Sequence, residues 1–196
     1  MAPDNRRAPT SSLRCFVAVS PDAATECALR RLIDELAATG VDVRWSRGGL
    51  HVTLKFLGEV EHERLEAVHQ AVRVVARQAE PFDLEVRGLG AFPSLRRPNV
   101  LWAAVVSLPL AVLAGALERA LEPLGFNREP RPFRGHITLG RMRSPGDWKK
   151  IEPLWNAYLD LLVGRCRIDS LVIFRSTLQP TGSLYTPLWT VPLGND

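Results

Sequence analysis

Cysteine is scarce in this chain and arranged for nothing covalent. The three residues, Cys15, Cys27 and Cys166, are an odd number at spacings unlike a bridged framework or a zinc pattern. That excludes a disulfide scaffold and points to a reduced, cytoplasmic compartment. No run approaches the ~18 consecutive apolar residues that a bilayer-spanning helix needs, so no membrane association is expected. The opening MAPDNRRAPTSS lacks an apolar h-region; residues 1–12 read as a flexible tail and not as a secretory signal. Low-complexity tracts are absent. Neither charge sign dominates: 25 basic residues against 21 acidic ones give a formal +4 and a pI near 9.3. This is a mild lean toward anionic partners such as nucleic acid. Histidine is the informative scarcity, with only four residues.

What is present is globular. The 196 residues are 46% hydrophobic and 23% charged, enough for one substantial core or two small lobes over residues 13–196. Nothing in them asks for an oligomer or an obligate protein partner, so a monomer is expected. A strand is predicted over 14–19. Ser20, Pro21 and Asp22 then offer an N-cap and a proline for the first helical position. Leu29, Leu32, Ile33 and Leu36 follow at helical spacing up to Gly40. A strand over 50–57, a helix over 61–79 and an alternating strand over 82–87 come next. The pattern then restarts with a strand over 99–106 and a leucine-striped helix ended by Gly125. A strand over 135–141 follows, and a helix from Ser144 carries Trp148, Ile151, Trp155 and Leu162, with a kink or late start at Pro153. Strands over 167–175 and 184–192 close the chain.

This order contains a repeat. His51 and His136 lie 85 residues apart (136 − 51), and the same offset carries the strand at 14 onto 99, the helix at 61 onto 146 and the strand at 82 onto 167. Each half reads strand, helix, His-x-Thr strand, helix, strand, with little side-chain identity outside the motif. The repeat predicts two pseudo-symmetric lobes whose histidines face each other across the cleft between them.

The motifs themselves are HVTL at 51–54 and HITL at 136–139. A strand has period two, so His51 and Thr53 share one face while Val52 and Leu54 take the other, and likewise His136 and Thr138 against Ile137 and Leu139. A lone strand histidine is usually a hydrogen-bonded core residue; two copies among four histidines, each followed by the same threonine and leucine, are a signal. Imidazole both takes and gives a proton near neutrality. Two of them facing one phosphorus suit cleavage of a phosphodiester, one activating water and the other protonating the departing oxygen. The threonine hydroxyls can donate to the non-bridging oxygens, where negative charge accumulates. This chemistry calls for no metal or cofactor, and neither motif holds a carboxylate or cysteine.

Around the motifs the readings stay open. Arg141 lies at an odd offset from His136, which turns it to the opposite face unless the strand bends after Leu139; Gly140 can provide that bend, and a guanidinium there can grip a phosphate. The alternative is a solvated strand-end arginine. Lys55 and Arg134 either add positive potential to the groove or are simply exposed. Phe92, Phe133 and Trp102 are candidates for stacking a base, with core packing the simpler reading. His62 and His69 read as surface residues of a helix. The same cleft also fits a module that binds a nucleotide or RNA end without turning it over.

With HVTLKFLGEV at 51–60, GAFPSLRRPNVLW at 90–102, HITLGR at 136–141 and IFRSTLQPTGSLY at 173–185, the chain resembles the two-histidine phosphoesterases, specifically the RNA 2′,3′-cyclic phosphodiesterases, also called 2′-5′ RNA ligases. The resemblance covers nearly the whole chain. It implies a mixed α+β bilobal fold in which antiparallel sheets line a basic, metal-free central cleft with helices outside. It further implies hydrolysis of RNA or nucleotide 2′,3′-cyclic phosphate ends to 2′-phosphomonoesters, with reversible 2′-5′ ligation sharing the same transition state. Carried over by position, His51 is the proton donor to the leaving 3′ oxygen and His136 the acceptor that activates water. Thr53, Thr138 and Arg141 hold the phosphate. One departure is Gly135, where members often carry proline, which predicts a looser entry to His136.

Overall fold

Alternation and helical spacing resolve into one curled antiparallel sheet with helices packed on it. The computed structural model describes residues 12–46, 48–180 and 182–194, apart from the Pro145 side chain. The expected tail lies outside these except for Ser12, which opens the first strand. The strands are β1 (Ser12–Val19), β2 (Val43–Trp45), β3 (Val52–Glu61), β4 (Phe82–Ser94), β5 (Arg97–Val106), β6 (His136–Met142), β7 (Leu162–Ile168), β8 (Ser170–Gln179) and β9 (Gly182–Pro192). The helices are α1 (Ala23–Ala37), α2 (His62–Arg77), α3 (Leu108–Leu121) and α4 (Trp148–Ala157). No helix among the described residues is long and apolar enough to cross a membrane.

The strand order is β7-β4-β5-β6-β3-β1-β8-β9, with β2 added beside β6. Exchanging β1 with β5, β3 with β6, β4 with β8 and β7 with β9 returns the same order reversed. Three of these exchanges, β1 with β5, β3 with β6 and β4 with β8, follow the offset of about 85 residues; that of β7 with β9 comes from the sheet topology alone. The strand order also shows that the halves are interleaved: β4 joins the lobe of β5 and β6, whereas β8 joins the lobe of β1 and β3. The two expected sheets are halves of one sheet, joined where Val52 of β3 pairs with Ile137 of β6. Both of these residues are buried in the main core with the apolar faces of the helices, such as Leu29, Leu36, Leu117 and Trp155. The opposite face of β3 and β6 is left for the cleft.

Several boundaries differ from the sequence reading, each for a local reason. Asp22 caps α1, its Oδ1 accepting from Thr25 N at 2.7 Å; Pro21 therefore stands before the cap and not at the first helical position. Leu162 begins β7 instead of ending the last helix. Its i+7 spacing from Trp155 fits a helical stripe, but α4 has already ended at Ala157. The strand expected over 167–175 is two strands parted at Asp169, where the chain leaves the lobe of β4 for that of β1. Strand β2 is too short to show any periodicity.

Both motif strands carry an irregularity at the same place. Val17 pairs with Lys55 and Ala18 with Thr53, leaving Leu54 as an extra residue in β3. In β6, Leu101 pairs with Gly140 and Trp102 with Thr138, leaving Leu139 as the extra residue. A bulge inserts one residue and so reverses the facing of everything beyond it. Lys55 consequently turns away from the groove into the core, where it is 3% exposed. Its Nζ donates to Glu118 Oε2 at 2.5 Å and to the Asn127 carbonyl at 2.6 Å, tying β3 to α3. Removing one partner of such a pair leaves an uncompensated buried charge. We predict that Glu118→Ala lowers the unfolding free energy by about 3 kcal/mol in denaturant titration, and that Lys55→Met with Glu118→Leu recovers most of it. A loss below about 1 kcal/mol in the single variant contradicts this placement of Lys55.

Candidate active site

The site is built by the register between the two motif strands. Continuing the Val52–Ile137 pairing by one residue each way sets His51 opposite Thr138 and Thr53 opposite His136. Directly opposed side chains of an antiparallel pair lie roughly 5 Å apart at Cβ. Since Val52 and Ile137 are both 1% exposed on the core side, the two histidines and two threonines share the other face. Each is half-buried.

Both imidazoles are fixed the same way. His51 Nδ1 lies 2.7 Å from the Gly49 carbonyl, and His136 Nδ1 lies 2.8 Å from the Arg134 carbonyl. A carbonyl only accepts, so Nδ1 carries the hydrogen in each ring and Nε2 is the nitrogen left to exchange a proton. Aromatic walls hold the rings. The His51 ring has Phe16 at 4.7 Å, Tyr185 edge-on at 4.8 Å and Phe174 at 5.9 Å. The His136 ring has Phe92 edge-on at 5.1 Å and Trp102 at 6.2 Å. Gly90 makes the second wall possible: a Cβ there would fall 2.1 Å from Trp102 Cη2. Phe92 and Trp102 thus buttress a histidine, while Phe133 packs against the core. Gly135 is tied to the neighbouring strand. Its carbonyl accepts from Val105 N at 3.0 Å, and a Cβ would already touch Val105 and Leu110.

Burial pushes both imidazoles below the ordinary histidine value of 6.5, against the raising effect of the carbonyl bonds. A second charge adds to this in each case. For His51 it is His136; for His136 it is Arg134 and Arg141. His51 therefore senses the charge of His136, and His136 is the one with guanidinium groups beside it.

A cleft of about 620 Å³ opens over this face, lined among others by His51, Thr53, Thr138, Arg141, Arg44 and Tyr185. His136 does not line it and stands beyond Thr53 in the register. Arg141 reaches the cleft because of the bulge at Leu139. Gly140 serves a different purpose from the expected bend: it leaves room for β2, since a Cβ there would lie 2.5 Å from Val43 Cγ1 and 2.9 Å from the Trp45 ring. That close approach brings in Arg44, directly paired with Arg141. Like charges set opposite each other on neighbouring strands repel, and the described residues lining the cleft include no Asp or Glu. The pair is arranged for an anion. Arg44 escaped sequence reasoning along with β2; only its place in an arginine-rich stretch before the first motif hinted at it. Arg134 stands on the His136 side, its guanidinium 6.0 Å from the Phe92 ring centroid. Of the other histidines, His62 is exposed and His69 is half-buried. His69 stacks on Trp189 at 4.8 Å.

Known proteins resemble this chain in sequence and in fold. The family model described as LigT like Phosphoesterase matches residues 19–102 and 105–185. A Methanothermobacter thermautotrophicus protein named RNA 2′,3′-cyclic phosphodiesterase is 32% identical over 178 residues, covering 90% of this chain and 96% of that one. A Thermotoga maritima protein of the same name is 30% identical, covering 90% and 94%. A crystal structure of a Thermus thermophilus protein matches with a TM-score of 0.80 at 27% identity, covering 94% of this chain and all of that one. Escherichia coli LigT complexed with 3′-AMP shares the fold at a TM-score of 0.71 and 23% identity, covering 94% of this chain and 100% of that one. The chain belongs to the LigT-like phosphoesterase family.

The ring geometry makes a spectroscopic prediction. In nitrogen-15 NMR, both His51 and His136 should titrate with midpoints below 6.5 and carry their neutral-form hydrogen on Nδ1. Adding inorganic phosphate should raise both midpoints, because an anion in the cleft favours imidazolium. A midpoint above the ordinary histidine value in the free protein, or a hydrogen on Nε2 of either neutral ring, contradicts the described geometry.

Proposed function

We propose that this chain hydrolyses 2′,3′-cyclic phosphate ends of RNA, or small nucleoside 2′,3′-cyclic phosphates, to 2′-phosphomonoesters. The observation that carries the reading is the Val52–Ile137 pairing, which puts two Nδ1-anchored imidazoles and two hydroxyls on one face beside an arginine-lined cleft. The names of the relatives at about a third identity support the substrate class.

In this mechanism neutral His136 takes a proton from water through Nε2 as the water oxygen bonds to phosphorus. Protonated His51 gives its Nε2 hydrogen to the 3′ oxygen as the P–O3′ bond breaks. The product holds a 2′-phosphate and a free 3′-hydroxyl, and solvent restores the two protonation states. Thr53 and Thr138 donate to the non-bridging oxygens, and Arg141 neutralises their charge, with Arg44 beside it. The sequence repeat treats both histidines alike, and burial lowers both, with His136 adding to it for His51 and Arg134 and Arg141 for His136; the choice of acid and base follows the family resemblance. The same step with an RNA 5′-hydroxyl attacking phosphorus in place of water, P–O3′ again breaking, is 2′-5′ ligation. We place the enzyme in the cytoplasm, a reading supported by its free cysteines, and take it as a monomer.

The direct test is hydrolysis of a nucleoside 2′,3′-cyclic phosphate followed by identification of the phosphate-bearing hydroxyl. His51→Ala and His136→Ala should each lower kcat at least ~10²-fold with folding intact, and excess chelator should leave the wild-type rate unchanged. Near-wild-type rates in both variants, or abolition by chelator, overturn the mechanism. The pH dependence of kcat/KM should be bell-shaped with its optimum below 6.5, because the base must be neutral and the acid charged, and burial lowers both groups in the free enzyme. The optimum of kcat should lie higher, since bound phosphate favours the charged acid. A kcat/KM optimum above neutrality contradicts this.

A further inference from the structure

The bulge at Leu54 has a second effect, on Phe56. Phe16 pairs with Phe56, and Ala18 with Thr53, so Phe56 shares the cleft face with Thr53. It occupies in the first half the place that Arg141 holds in the second, five residues after the motif histidine. Because β3 and β6 run antiparallel from their shared bridge, Phe56 and Arg141 lie toward opposite ends of the cleft. Unlike Phe16 and Phe174, which are buried beneath His51, the Phe56 ring is 50% exposed. The Arg14 guanidinium sits 4.8 Å from its centroid, and both side chains line the cleft. Leu178 and Leu184 of the β8–β9 hairpin line it too and are 73% and 48% exposed.

A large aromatic ring left half in water contributes little to the core, yet its backbone position is set with care by the bulge. Rings of this kind, beside cations in a positive groove, are what single-stranded nucleic acid stacks its bases on. The charges indicate the length of ligand. Arg141 and Arg44 stand at one end of the cleft and Arg14 at the other, with His51, Thr53 and Thr138 between and no carboxylate among the described residues of the lining. A nucleoside cyclic phosphate carries one phosphate and can meet only one end. An RNA chain brings a second phosphate and a second base. Thr53 and Phe56 are about 7–10 Å apart along the strand, at ~3.3 Å per residue with a bulge between, a distance suited to the neighbouring nucleotide.

We propose that Phe56, steadied by Arg14, is a stacking platform for the base of the nucleotide preceding the cyclic-phosphate end, which makes RNA oligonucleotides the preferred substrates over free cyclic nucleotides. This rests on the cyclic phosphodiesterase reading above and specifies its substrate class. Arg14 also offers N–H donors to the intervening phosphate.

The test compares kcat/KM for a trinucleotide ending in a 2′,3′-cyclic phosphate with that for a nucleoside 2′,3′-cyclic phosphate. The wild type should favour the trinucleotide by about tenfold or more, in KM. Phe56→Ala should lose about tenfold more on the trinucleotide than on the nucleoside, within the range of base stacking, and Phe56→Trp should restore the difference. Arg14→Gln should reduce the salt dependence of the trinucleotide KM by roughly one phosphate contact, a slope change near ~0.7. Equal rates on both wild-type substrates, or equal losses on both in Phe56→Ala, overturn the platform while leaving the phosphodiesterase reading intact. Failure of the wild type to open either substrate overturns that reading itself.

Discussion

One backbone pairing, Val52 with Ile137, sets the relation between the two lobes. It joins the halves of the sheet, lies on the pseudo-two-fold relation between them, and falls inside both motifs at once. The middle residue of each His-x-Thr is the residue that pairs. Its side chain points into the core, and burial of two β-branched residues at one bridge fixes the register against slipping. A one-residue slip would send a histidine or a threonine into that core. The histidines and threonines are therefore placed on the cleft face by the same apolar contacts that hold the lobes together.

The electrostatics of the face complement this geometry. Two imidazoles are desolvated and held toward their neutral forms, and Arg44 is set against Arg141 with no acidic residue among the described lining. Free, the site has unmet positive charge and two weakened bases. An entering phosphate relieves the arginine repulsion and raises the affinity of an imidazole for its proton. In the proposed mechanism, binding the anion thereby prepares the acid. The asymmetry between the rings comes from the elements next to them, since Arg134 and Arg141 belong to the second motif and have no cationic counterparts in the first.

Much of this was legible in the sequence because it depends on period two and on repetition. HVTL and HITL show which side chains share a face, and the 85-residue offset predicts that the two strands are equivalents. The bulges were not legible. A leucine three residues after each histidine looks like ordinary alternation, yet in both strands it is the extra residue. Parity counted past it fails, which is why Lys55 belongs to the core with Glu118 and Arg141 to the cleft. Strand β2 was invisible for a different reason: so short a strand carries no period, and its position depends on the missing side chain of Gly140, far downstream in the chain. The interleaving of β4 and β8 between lobes is a matter of long-range pairing that local pattern does not encode.

The central claim is that both imidazoles act on one phosphorus. A crystal structure with a nucleoside vanadate, whose five-coordinate centre imitates the transition state, tests it most directly. The account predicts His51 Nε2 and His136 Nε2 each within hydrogen-bonding distance of a different apical oxygen, with both threonine hydroxyls on the equatorial ones. A vanadate held by one imidazole alone, with the other ring turned away or screened, contradicts it.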